Sequence, residues 1–126
     1  MEPGGICMGD GLKRLIQAAQ QLEEADLIIQ NGTVVDVFSL ETFEADVAIR
    51  DGRIVGIGTY PNGKQVVDAT GKFILPGFID GHIHIESTMV TPSQFSRALI
   101  KHGITTVVTD PHEIANVAGS IGIDSM

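Results

Sequence analysis

A chain of 126 residues, with 43% hydrophobic and 19% charged side chains, has the make-up of an ordinary soluble globular protein of about one domain. Its net charge of −8, with only eight Lys and Arg, argues against a nucleic-acid partner, because phosphate binding needs a basic patch. No apolar run reaches the roughly 18 residues of a membrane span, and Met1 to Gly9 lacks the basic-then-apolar pattern of a signal peptide. No membrane partner and a cytoplasmic location are therefore expected. The single cysteine, Cys7, excludes an internal disulfide and a Cys-rich zinc site, so any metal must be held by His and carboxylates.

The first element expected is an amphipathic helix from about Leu12 to Glu24. Leu12, Leu15, Ile16, Ala19 and Leu22 recur at helical spacing, and Asp10 can cap the start. Its polar face is not strongly basic, which favours packing on a neighbour over membrane binding. From Asp26 to Leu75 the pattern becomes that of strands. Leu27 to Ile29 runs into an Asn31-Gly32 turn, and Thr33 to Val37 returns. Ala45 to Ile49 and Arg53 to Ile57 flank Asp51-Gly52, a tight hairpin turn with positive φ. Val66 to Asp68, a turn at Thr70-Gly71, and Phe73 to Leu75 complete a small β-sheet or sandwich that reads as scaffold.

At Pro76-Gly77 the pattern changes again. Phe78 to His84 reads as a buried strand ending in polar residues. A helix follows, with Thr91 as N-cap, Pro92 at its first position and Gln94 as capping-box partner; Phe95, Ala98 and Leu99 share one face and Gly103 stops it. Ile104 to Thr109 forms the next strand, which ends at Asp110-Pro111-His112-Glu113. Strand, helix, strand with short connections is a parallel βαβ unit. Three regions result: 1–25, an N-terminal segment with the helix; 26–75, the small sheet; and 76–126, two βα units. The 51 residues after Leu75 suffice for about two such units, whereas a closed eight-stranded barrel takes roughly 250 residues. A two-strand parallel piece is expected to leave apolar faces and strand edges open.

His82 and His84 stand two apart on a strand, so both imidazoles share a face, together with Asp80. At the C-terminal end of a barrel strand that face is the mouth, where barrel enzymes do their chemistry, and neutral imidazoles suit zinc, iron or manganese. An isolated His-x-His is a weak signal, and what raises it is the apolar strand around it. Asp110 admits two readings: an N-cap with Pro111 at the first helical position, or a direct role at the mouth beside His112 and Glu113. Glu86 shares the face of His84 if the strand persists. His102 closes the preceding helix, where a histidine favours the C-terminal dipole.

The run Gly77-Phe78-Ile79-Asp80-Gly81-His82-Ile83-His84 resembles the first-strand signature of the amidohydrolase superfamily. With Ile85-Glu86-Ser87 and the later Thr109 to Val117 segment, it is similar to the adenine deaminase branch, and the likeness runs from about Leu12 to Gly119. The resemblance implies a β-sandwich subdomain joined to the start of a metal-dependent (β/α)8 TIM-type barrel, here an incomplete fragment. It makes His82 and His84 ligands of a divalent transition metal, in a binuclear Mn, Fe or Zn centre, with the other ligands on later strands. Glu113 and Asp110 become catalytic candidates, and Glu86 and His112 candidates for substrate contact. The implied reaction is hydrolytic deamination of adenine to hypoxanthine and ammonia by metal-activated water, in a homo-oligomer when full-length. Base deaminases of the other known type use a Cys-x-x-Cys zinc site, which one cysteine excludes. Two alternatives stay open: another amidohydrolase acting on a cyclic amide or purine-like ring, and a truncated, non-catalytic protein.

Overall fold

The computed structural model describes residues 8–126; Cys7 lies outside the described residues. Two compact units divide the chain, Met1–Leu75 and Pro76–Met126.

In the first unit, helix α1 (Met8–Ala19) precedes strands β1 (Leu27–Asp36), β2 (Glu41–Arg50), β3 (Arg53–Gly58), β4 (Val66–Asp68) and β5 (Phe73–Ile74). The helix starts earlier and ends five residues sooner than its apolar spacing predicts, and Asp10 lies inside it, not at the cap. The chain leaves the helix at Gln21, which has a positive φ of 60°. All five strands form one mixed sheet in the order β3-β2-β1-β4, with β5 also on β1. β1 runs antiparallel to β2 and parallel to both β4 and β5.

Asn31-Gly32, expected as a turn, is instead a bulge within a continuous β1, which pairs with β2 on both sides of it. Asn31 takes a positive φ of 59°, and its side-chain amide donates to Asp68 Oδ1 at 3.2 Å. At this point β1 changes its parallel partner from β4 to β5. At Gly32 a Cβ would lie 2.7 Å from Ile74 Cγ1, so a larger residue there would force the Ile74 side chain to shift. The same turn-forming dipeptide chemistry serves a bulge when the partner strand continues past it. The Asp51-Gly52 hairpin has the expected geometry, with φ of 49° and 71° joining β2 to β3.

The core of this unit is small: Ala25, Ile28, Ala48 and Tyr60, with Val55 packed against them. Tyr60 also donates its hydroxyl to the Ala19 carbonyl at 3.0 Å, which ties the end of α1 to the sheet. The buried Arg50 guanidinium donates to the Glu24 carbonyl at 2.7 Å and to Asp26 Oδ1 at 3.2 Å. Asp26 is the hub of this edge. A hydrogen bond from Lys64, above all, and one from the Asp51 amide hold its pKa down to about 2, with the Arg50 and Lys64 charges adding to this and desolvation opposing it.

The second unit comprises β6 (Phe78–Ile83), a 3-10 turn (Glu86–Thr88), α2 (Pro92–Ile100), β7 (Ile104–Thr109) and α3 (His112–Asp124). β6 and β7 pair in parallel, from Phe78 opposite Ile104 to Ile83 opposite Thr109, as a βαβ unit requires. Thr91 and Pro92 open α2 as expected, but the capping box does not form: no side chain caps the helix, and Thr91 Oγ1 sits 3.1 Å from Ser93 Oγ. Gly103, with φ of 79°, ends the turn after α2. β6, expected to be buried, leaves Phe78 55% and Ile79 67% exposed. Only β6 and β7 pair in this unit, and consecutive strand residues point to opposite faces, so apolar surface stays open on both sides of the pair. Gly119, at φ 62° and ψ −149°, breaks the helical geometry of α3.

Two outcomes are expected of the first unit. Ile28→Ala should cost about 2–5 kcal/mol, since it empties the centre of the core, as read by denaturant unfolding. Asp26 is depressed in the folded state, so its contribution is present above the ordinary carboxylate pKa of 3.8 and lost as pH falls towards about 2. Thermal unfolding should therefore show a steeper loss of stability between pH 4 and 2 for the native protein than for Asp26→Asn.

Candidate metal centre

The end of β6 and the end of β7 lie side by side because the strands are parallel and in register there. Asp110 donates its amide to the Ile83 carbonyl at 3.0 Å, which extends the pairing one residue past β7. This brings the loop after β7 against His82 near the end of β6 and His84 just past it. Ligating atoms of His82, His84 and Asp110 all lie within 4.8 Å of one another. His82 Nε2 and His84 Nε2 are 3.1 Å apart. Two nitrogens on a tetrahedral ion at about 2.0–2.1 Å would be separated by roughly 3.3 Å, so the pair is close to the spacing a metal needs. Two imidazoles and a carboxylate also form a donor set suited to a divalent transition metal. The residues fit such an ion.

His84 has a second contact that bears on its protonation. Its Nδ1 lies 2.9 Å from the Asp110 carbonyl oxygen. A carbonyl only accepts, so this contact suits a proton on Nδ1, and in a neutral ring with that tautomer Nε2 keeps its lone pair. His112 stacks edge-on against His84 with ring centroids 4.8 Å apart. Its Nδ1 is 3.1 Å from Asp110 Oδ2. Asp110 thus joins the cluster and turns its carboxylate to His112.

The helix-capping reading of Asp110 is corrected accordingly: α3 starts at His112 with Pro111 at the cap position and no side-chain cap bond. Asp80, expected on the histidine face, accepts the His82 amide at 3.1 Å and is not among the grouped ligands. Strand β6 stops at Ile83, so Glu86 does not continue its face. Glu86 opens the 3-10 turn instead, and its Oε1 accepts the Ile114 amide at 3.2 Å near the start of α3. Its own backbone amide, first, and then the Ile114 amide and the nearby His84 and His112 hold its carboxyl below the usual range, while burial works against them. Glu113 receives the Ser87 hydroxyl at 2.9 and 3.1 Å on its two oxygens. His102 lies in the turn after α2, outside the cluster. Ser87 is the residue that sequence reasoning passed over, and no spacing in the chain marks its partner 26 positions away.

Two family models match the chain: the amidohydrolase family over residues 73–126 and the N-terminal domain of the urease alpha-subunit over residues 2–78. The chain belongs to the amidohydrolase superfamily. Within that superfamily it is 57% identical to an adenine deaminase of Halalkalibacterium halodurans, over 94% of this chain and 21% of the relative. Among solved amidohydrolase structures, it is similar to the zinc-bound N-acyl-D-glutamate deacylase of Bordetella bronchiseptica, with TM-score 0.60 and 36% identity over 69% of this chain and 19% of that one. It is also similar to a D-aminoacylase described with a binuclear metal centre, with TM-score 0.59 and 34% identity over 68% of this chain and 18% of that one. The chain thus spans about a fifth of the length of the curated relatives it matches.

If His82 and His84 are both ligands, replacing either should remove metal while the fold remains, because a site that loses one donor loses its geometry. Elemental analysis of His82→Ala and His84→Ala, beside circular dichroism, should show lost metal and an unaltered spectrum. Unchanged metal content in both variants contradicts the assignment.

Proposed function

We propose that this chain is the N-terminal part of an enzyme that hydrolytically deaminates adenine, giving hypoxanthine and ammonia. The observation that carries the reading is the convergence of His82, His84 and Asp110 at the shared end of two parallel strands. The 57% identity to an adenine deaminase supports the choice of substrate. In this reading the five-stranded sheet belongs to a β-sandwich, and β6, α2, β7 and α3 begin a (β/α)8 barrel whose later strands bring further ligands. The protein acts in the cytoplasm as a homo-oligomer.

His82 and His84 would hold a divalent transition metal, Mn, Fe or Zn, in a centre of two ions. Bound there, the metal would supply Lewis-acid activation of a water for hydrolysis at the amino-bearing carbon of adenine. The chain's own residues do the rest of what this portion can do. The Asp110 carbonyl holds the His84 ring by Nδ1, which would leave Nε2 available to ligate. Asp110 and His112 form a hydrogen-bonded pair beside the histidines, placed to move a proton or to contact the ring. Glu113 is the second carboxylate at this end, oriented by Ser87, and is assigned to proton transfer.

The test is an assay of the protein expressed from its complete coding sequence, reconstituted with manganese, iron or zinc. Ammonia release from adenine, and not from cytosine or dihydroorotate, is expected. Turnover of either alternative without adenine turnover would sink the adenine assignment and leave a different cyclic-amide amidohydrolase.

A further inference from the structure

The resemblance makes Glu86 a candidate for substrate contact, and its two oxygens have different surroundings. Oε1 accepts the Ile114 amide, and Oε2 is buried without a hydrogen-bond partner among the described residues. Glu86 holds the start of α3. Its neighbour Ser87 donates to both oxygens of Glu113. Two successive residues after β6 therefore grip two successive residues, Glu113 and Ile114, at the opening turn of α3. Asp110 lies between this grip and its own bond to the Ile83 carbonyl. Its backbone is thus held from both ends, with its carbonyl 2.9 Å from His84 Nδ1.

We propose that Glu86 is a positioning residue: by accepting the Ile114 amide it holds the loop from Asp110 to Glu113 in place, so that the Asp110 carbonyl fixes His84 in the Nδ1–H tautomer. The tautomer step stands on the hydrogen bonds alone. Its consequence for metal binding rests on the metal-site reading above, since Nε2 must keep its lone pair to ligate. An unconstrained neutral imidazole in water favours the opposite, Nε2–H form, so the grip has a measurable effect.

The experiment is long-range 15N–1H correlation of the histidine rings in the full chain, without metal and at a pH where imidazoles are neutral. The native protein should show His84 as Nδ1–H. Glu86→Ala should shift His84 towards Nε2–H, whereas Glu86→Gln, which keeps a carbonyl oxygen for the Ile114 amide, should retain the native form. Zinc titration of the same proteins should show affinity reduced about 10–100-fold in Glu86→Ala, the range for partners that orient a ligand, and near-native affinity in Glu86→Gln. A native His84 in the Nε2–H form overturns the proposal even if the alanine variant fails to fold. So does an alanine variant with unchanged tautomer and affinity, or a glutamine variant that behaves like alanine. His84→Ala separates the two claims: zinc affinity unchanged by that substitution refutes the metal-site reading, while the tautomer of the native protein still judges Glu86.

Discussion

The parallel pairing of β6 with β7 governs the candidate site, and its last bond, from the Asp110 amide to the Ile83 carbonyl, governs it most closely. Parallel strands have their C-terminal ends at the same edge of the sheet, so residues 26 positions apart become neighbours. His82 and His84 come from one strand end, Asp110 and His112 from the other. Without that register the two histidines would be an isolated pair; with it they gain a carboxylate and a backbone acceptor that sets the proton on His84. The cost is visible in the same unit, where Phe78, Ile79 and Val108 remain half exposed or more. Surface of that kind is a liability unless other strands cover it.

The first unit solves a different problem. One long strand, β1, serves as the spine on which β2 pairs from one side and β4 and β5 from the other. The Asn31 bulge is where the parallel partner changes, and Asp68 gathers the local donors there, accepting from Thr70 and Asn31. Those bonds lower the Asp68 carboxyl below its ordinary range. At the other end, the Asp26, Arg50 and Lys64 cluster anchors the start of β1 to the end of β2 and to the segment before β4. Charge pairing at the sheet ends and a core centred on Ile28 hold this small unit together.

How much of this could be read from the chain depended on whether a feature is local. The strand from Ile104 to Thr109 was readable to the residue, since Gly103 and the Asp110-Pro111 pair bound it sharply. The Asp51-Gly52 hairpin was readable because both positions need positive φ and nothing else competes for them. Asn31-Gly32 carries similar turn chemistry, yet whether it turns or bulges is decided by β2 across from it, which local sequence does not show. The caps failed for the same kind of reason: Asp110 has His112 within reach, and Thr91 has Ser93. At the candidate site, the spacing of His82 and His84 placed both on one strand, and the structure brings their ring nitrogens together. The capture of Glu86 by the Ile114 amide was not readable, because it depends on β6 stopping at Ile83 and on α3 starting beside it.

Whether the shared end of β6 and β7 is a metal site can be read by anomalous diffraction at the zinc edge, from crystals of the full chain grown with zinc. An anomalous peak is expected about 2.0–2.1 Å from both His82 Nε2 and His84 Nε2, with the His84 Nδ1 contact to the Asp110 carbonyl preserved. Zinc bound to other residues, with the histidine pair left free, would contradict it.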